Sequence, residues 1–340
     1  MIQTITLLMD SLRMLLARKL FWLSIVFSVM IGVVYLSIGL EEDGVTILFG
    51  LKKIESDVLC LGNPEGEWFY ITLFSNYINR YWLGSGAILL ALISTVSVFP
   101  EFTRPGSIGV SLSKPVSRAK LFFVKYLGCL FFVGIQVSLF AILIFLAIGY
   151  RLDYWNWSLF WMVPLLTFVF SLIHCVQVLV GVVTRSSLVA LLVGISFWIT
   201  VWLLQMTEQT MYLNSYAMVE EKIKLDWSSG ELEPAGSDST VDSQAQENYQ
   251  LVKMVSMPFP KVRDVTLSLE NFVTFRDSGS ILEQIDLLKS VEENDIQYKS
   301  KRAERRTRER SSMGYIFLSS FGFECLILAI ACGVFVRRDY

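Results

Sequence analysis

The sequence predicts an all-α integral membrane protein with six transmembrane helices, N- and C-termini cytoplasmic, and an external helical-hairpin insertion between the fifth and sixth spans. Three observations predict it. The 340 residues are 54% hydrophobic and only 18% charged, with a positive mean hydropathy that soluble domains of this length rarely reach. Six apolar runs approach the roughly 20 helical residues needed to cross a hydrocarbon core of about 30 Å. The short polar loops between those runs collect their Lys and Arg on one side when crossings are counted from the N-terminus. The net charge of −2 averages a basic face against acidic loops and excludes little.

Residues 1–19 read as an amphipathic cytoplasmic interfacial helix. Ile5, Leu8, Leu12, Leu15 and Leu16 recur at helical spacing with Asp10, Arg13 and Lys19 between them. The plainer alternative is a short extension of the first span. The spans run over about 20–40, 81–99, 126–150, 157–183, 187–205 and 313–336. The first is too long for a cleaved signal peptide and is followed by Glu41-Glu42-Asp43 rather than small residues. Arg13, Arg18 and Lys19 hold the N-terminus inside, and Arg185 and Arg337-Arg338 fall inside by the same count. Trp22, Tyr81, Trp82, Tyr150, Trp155 and Trp157 stand at span ends, as interfacial aromatics do.

The segment 41–80 is punctuated by Gly44, Gly50, Gly62, Asn63-Pro64 and Gly66. It reads as an ordered loop, with a membrane-seated lid through Leu48-Phe49 and Trp68–Ile71 as the alternative. The insertion 206–312 has three parts. Tyr212, Tyr216, Val219 and Ile223 continue the fifth helix, and Ile281, Ile285, Leu288 and Val291 mark a second amphipathic helix. Residues 231–248 are acidic, almost without apolar side chains, and are expected to be a disordered tip. Met257–Asp264, with Pro258 and Pro260, reads as a rigid non-helical turn. The basic tract 301–310 disagrees with an external placement, although the charge rule weakens in loops beyond about 60 residues. An odd number of helices would remove that disagreement but would put Arg337-Arg338 outside. The tract itself is a solvated, salt-laced helix face or a site for anionic lipid or a partner.

Several chemistries lack their residues. One histidine, His174, cannot build a His-based triad or a multi-His metal site, and no Gly-x4-Gly-Lys-Ser/Thr loop is present to hold ATP. No metal site is therefore predicted. The five cysteines show no ligand or disulfide spacing. Glu324 and His174 lie within spans, where ionisable groups are costly and face a protein interior or aqueous path. They are the intramembrane functional candidates; the bland reading of Glu324 is a protonated or hydrogen-bonded packing contact between helices, with His174, Gln136 or Gln177 as its partner.

The most distinctive segment is the connector 100–125 between the second and third spans. It is irregular, punctuated by Pro and Gly, and basic through Arg104, Lys114, Arg118, Lys120 and Lys125, with Glu101 the one acid. Such backbone cannot lie in hydrocarbon, and its charge assigns it to the cytoplasm. Glu101, Gly106, Ser113-Lys114-Pro115-Val116-Ser117-Arg118 and Lys125-Tyr126 resemble the signature of permease subunits of bacterial ATP-binding cassette exporters of the type-2 class. Leu12-Arg13 and Arg18–Phe21 resemble that family's start. Tyr315–Leu318, Phe323-Glu324 and Phe335–Tyr340 resemble its last helix and tail. Arg104, where many relatives carry an acid, and the long insertion depart from the pattern.

The resemblance implies a multi-pass protein of a bacterial cytoplasmic (inner) membrane that is not itself an enzyme. A separate P-loop ATPase subunit would bind ATP and Mg, so this chain would hold no cofactor. The connector would be a coupling helix docking on that ATPase, with Glu101, Arg104, Gly106, Lys114, Pro115 and Arg118 as the coupling residues. A second permease copy or a sister permease would complete the pathway; membrane lipid is the other expected partner, and nucleic acid is not. Two other readings stay open: a membrane-anchored scaffold whose external hairpin binds a partner protein, and an ion-coupled secondary carrier using Glu324.

Overall fold

The computed structural model describes residues 9, 13, 16, 17, 19–41, 43–56, 59, 60, 63, 66, 69–71, 73–103, 117–212, 223–225, 232–234, 243–272 and 312–338. The protein is mostly helical, and five helices are long and apolar enough to cross a membrane: Tyr81–Phe102, Arg118–Leu152, Trp157–Thr184, Ser187–Tyr212 and Met313–Arg337. The chain is a multi-pass membrane protein on that ground. The chain divides into two compact units, Met1–Trp198 with Asp264–Arg276 and Gly322–Tyr340, and Ile199–Arg263 with Asp277–Phe321.

In the first unit, α1 (Lys19–Leu36) is 18 residues, a rise of about 27 Å. It stops four residues short of the expected end. Ser37 Oγ turns back to donate to Val34 O at 2.7 Å, and the Arg151 guanidinium takes Leu36 O at 3.0 Å. A Cβ on Gly39 would lie 2.6 Å from Thr46 Oγ1 and 2.7 Å from Arg151 Nη1, so a side chain there would displace both groups. Its apolar part, Trp22–Leu36, is shorter than the five long apolar helices.

The next segment, read from the sequence as an ordered loop, forms a small antiparallel sheet of β1 (Gly39–Glu41), β2 (Gly44–Ile47) and β3 (Lys52–Glu55). The register pairs Gly39 with Thr46 and Gly44 with Glu55. Gly44 has φ +140°, and a Cβ there would meet Ile54 O at 2.2 Å, so the β1–β2 turn requires glycine. The β2–β3 turn is unusual: Leu48 and Phe49 hold φ 54° and 56°, a region costing a bulky residue about 1–2 kcal/mol.

A π-helical stretch, Leu73–Ala87, leads into α2 (Ile88–Thr95) and α3 (Val98–Phe102). The connector resumes at α4 (Arg118–Leu152), capped by Ser117 Oγ accepting from Lys120 N at 3.4 Å. The last eight residues of the expected connector are therefore the first turns of α4. A 3-10 turn, Trp157–Trp161, precedes α5 (Met162–Thr184), and Arg185 in the left-handed region separates it from α6 (Ser187–Tyr212). α4 packs along both α1 and α5. Gly32 brings α1 close: a Cβ there would stand 3.2 Å from Leu143. Few apolar side chains of α6 are buried, and Leu188, Leu192, Ile199 and Leu203 are among those exposed, as lipid-facing residues are.

In the second unit, β4 (Ile223–Leu225) and β5 (Leu232–Pro234) form an antiparallel pair, and α7 (Ser243–Ser256) follows. Ile223 is thus in a strand rather than the continuation of the fifth helix. Within the stretch expected to be disordered, residues 232–234 lie in β5 and 243–248 in α7, where Gln244, Ala245, Gln246 and Glu247 suit a helix. The Pro-rich turn is shorter than expected. Helix α8 (Val262–Phe272) starts two residues after Pro260, with Asp264 in its first turn favouring the N-terminal dipole. The last helix, α9 (Met313–Arg337), belongs to the first unit from Gly322 onward. The core of the interfacial helix, the second helix of the expected hairpin and the basic tract 301–310 lie outside the described residues.

Candidate functional site

Glu324, on α9, is the one intramembrane acid the sequence pointed to, and the fold gives it two hydroxyl partners. Tyr126 Oη, from α4, donates to its Oε1 at 2.6 Å, and Ser171 Oγ, from α5, donates to its Oε2 at 3.0 Å. All three side chains are buried. Each hydroxyl also has a backbone acceptor within reach: Ser171 O at 3.2 Å from Tyr126 Oη, and Phe168 O at 2.8 Å from Ser171 Oγ. The carboxyl can therefore accept two O–H bonds, or carry a proton and donate it to Tyr126 while both hydroxyls turn to carbonyls. A three-helix junction able to hold or release one proton results.

His174, Gln136 and Gln177 are not bonded to the acid. His174 Nδ1 meets Gln177 Oε1 at 2.9 Å, and Gln177 Nε2 donates to Leu92 O at 3.2 Å. The imidazole lies between the rings of Tyr126 and Phe170, 5.6 and 4.8 Å away, with Nε2 buried and without a hydrogen-bond partner among the described residues. Gln136 lines a small, mostly apolar cavity with Ser28, Trp82 and Phe170. The sequence reading missed Tyr126 and Ser171 as ligands of the acid. A signal existed: Ser171, His174 and Gln177, three residues apart, make a polar stripe on an otherwise apolar helix.

A second constellation joins the flanks of the connector to the C-terminal tail. Phe335 packs on Phe102 and Phe122, centroids 5.6 and 5.8 Å apart, and Lys125 Nζ sits 5.7 Å over Phe102. Arg118 Nη1 donates to Val336 O at 3.2 Å and Arg338 O at 2.9 Å; Arg338 Nη1 in turn donates to Val182 O at 2.5 Å and Val183 O at 3.0 Å. These carbonyls belong to the last turns of α9 and α5, where no intrahelical N–H is left for them and positive charge is favoured. Arg118, expected at a partner contact, places its guanidinium on the end of α9. Glu101 stands half-buried in α3. Arg104, Gly106, Lys114 and Pro115 lie outside the described residues.

The second unit contains a buried network that the sequence did not suggest. Lys261 Nζ lies 3.4 Å from Glu208 Oε2, both side chains nearly solvent-free, and Ser256 Oγ donates to the same oxygen at 2.5 Å. Gln205 bridges the turn, donating to Pro260 O at 2.6 Å and accepting from Arg263 N at 2.8 Å. Ser256 and Lys261, 3.3 Å apart, have the atoms of a Ser–Lys nucleophile pair. Glu208 neutralises the lysine, however, and full burial leaves no approach for a substrate, so the network is structural.

Among the described residues no group of three His, Cys, Asp or Glu side chains is placed to hold a metal ion. No family model, curated protein or solved structure matches the chain.

Proposed function

We propose that this chain is the membrane-spanning permease subunit of an ATP-driven transporter of the ABC class, of the type-2 exporter kind. It would work in a bacterial cytoplasmic membrane with a separate P-loop ATPase subunit, as a homodimer or beside a sister permease. Six spans with both termini inside belong to the same reading.

The observation that carries it is the meeting of two separated sequence elements. The connector's flanks, Phe102 and Arg118–Phe122, grip the tail Phe335–Arg338, although more than 200 residues lie between them. Both elements are the ones that resemble the permease family. Their contact suits a mechanical role: a push on the connector reaches α9 through Arg118 and Phe335, and α5 through Arg338. Those two helices bear Glu324 and Ser171. Along α9 the distance from residue 337 to residue 324 is about 20 Å, so a rigid-body shift at the connector would alter the Glu324–Ser171 contact.

The test is recovery of an ATPase with the purified chain. Wild type is compared with a Glu101→Ala, Arg104→Ala, Lys114→Ala variant; Arg118 is left in place because it holds the end of α9. A P-loop protein recovered with wild type and lost with the variant supports the reading. Its absence from both, in well-folded preparations, overturns it. The ion-coupled carrier draws on the Glu324–Tyr126 pair and predicts transport without any ATPase, abolished by Glu324→Gln.

A further inference from the structure

We infer that the β2–β3 turn, Leu48–Leu51, is an interfacial lipid anchor, seated in the headgroup and acyl boundary of the leaflet that the C-terminal end of α1 reaches. The inference rests on α1 being a membrane span. It is independent of the transporter reading.

Position comes first. Phe49 N donates to Ser37 O at 3.0 Å, one residue past the end of α1. The turn is thereby tied to the level at which α1 leaves the membrane, rather than standing off in solvent.

The side chains are those of an anchor. Leu48 is 53%, Phe49 62% and Leu51 86% exposed, three large apolar groups in four residues, on a sheet whose other side is closed by buried Leu40 and Val45. Exposed apolar clusters of this kind mark a partner or a membrane. The neighbouring face of α1 decides between them: Met30, Val33 and Val34 are also exposed, so the turn extends a surface that hydrocarbon already covers. Lys52 follows directly, exposed, and Lys53 is pinned by Asp43 at 3.0 Å and Glu41 at 3.4 Å. Apolar residues followed by a lysine that can reach phosphate are the pattern of an interfacial segment.

The left-handed backbone at Leu48 and Phe49 adds a further argument. Gly or Asn would occupy those positions without strain, yet the chain carries two bulky apolar residues there. Transfer of both side chains into lipid supplies the compensation.

Photocrosslinking tests this on the full chain. p-Benzoylphenylalanine replaces Phe49, Val34 or Glu55 singly, and the protein is reconstituted in vesicles of phosphatidylethanolamine and phosphatidylglycerol. Phospholipid adducts are counted by mass spectrometry after irradiation. Positions 49 and 34 should both yield lipid adducts, each about tenfold above position 55. Adducts at 34 but not 49, or adducts from 49 to a protein peptide, overturn the anchor. No adduct at 34 would instead remove α1 as a span and the inference with it.

Discussion

Replacing Glu324 should disturb the fold less than replacing the hydroxyl that holds it. Tyr126→Phe removes the 2.6 Å O–H bond and leaves Oε1 of a side chain only 6% exposed without that donor. An orphaned buried polar group costs about 1–3 kcal/mol, and side-chain hydrogen bonds between membrane helices average about 0.6 with a ceiling near 1.7. We expect about 1–2 kcal/mol. Glu324→Met keeps the volume and orphans nothing, because Tyr126 retains Ser171 O and Ser171 retains Phe168 O. Its cost should stay under about 1 kcal/mol. The two variants should differ by about 2–4 °C in thermal unfolding, on the scale of domains of 150–250 residues. The measurement is unfolding of the purified chain in one detergent at one scan rate, with the double variant included. In the double variant Tyr126→Phe has no acid to orphan and should add little. A Glu324→Met variant less stable than Tyr126→Phe, or additive losses in the double, would refute the hydrogen-bond accounting.

Arg118→Ala should speed amide exchange at 334–338 and also at 182–186, because Arg338 loses its own support; Arg338→Ala should affect 182–186 alone. The rate change expected from one lost charged hydrogen bond is about tenfold. Lys261→Met leaves Glu208 buried without its cation and should cost about 3–5 kcal/mol, most of it recovered when Glu208→Gln is added. Thermal unfolding of the three variants measures it. Alkaline pH should loosen the sheet and its surroundings. Burial holds the Tyr70 hydroxyl above its ordinary 10.0, opposed by Arg151, and the hydrogen bond to Asp43 holds Lys53 above 10.5. Both groups bind their proton more tightly in the folded protein, so their contributions are complete below about pH 10 and fade above it. Amide exchange of residues 44–56, corrected for its intrinsic pH dependence, should be level from pH 6 to 9 and rise beyond.

The sequence disclosed what hydrophobicity controls. Length and hydropathy placed the apolar helices to within a few residues at most ends, because burial in lipid demands continuous helix. They failed where the chain leaves the membrane. The sheet at 39–55 follows from Gly39, Gly44 and a turn in the left-handed region, features of backbone geometry that no apolar period announces. Glu324 was found because a charge in a span is conspicuous, whereas Tyr126 and Ser171 look like ordinary span residues until three helices converge. The carbonyl partners of Arg118 were hidden for the same reason. A basic residue beside a membrane usually reads as a partner or lipid contact, and its true acceptors lie some 220 residues downstream in the chain.

The same carbonyl contacts bear on topology independently of charge counting. Arg151, in the last turn of α4, holds the C-terminal end of α1; Arg118, in its first turn, holds the C-terminal end of α9; Arg338 holds that of α5. Thus α1 ends where α4 ends, while α5 and α9 end where α4 begins. A chain that crosses in one direction through α1 and α4 must cross in the other through α5 and α9. Its tail would then emerge on the side from which α1 set out, and α9 would start at Met313 on the opposite side. An even number of crossings is the outcome expected if all four of these helices span. A cysteine at Thr307, in a chain freed of its native cysteines, should react with an impermeant maleimide in intact cells, and one at Arg337 only after permeabilisation. Protection of both until the membrane is opened would mean that α9 does not cross, and the direction argument would fall with it.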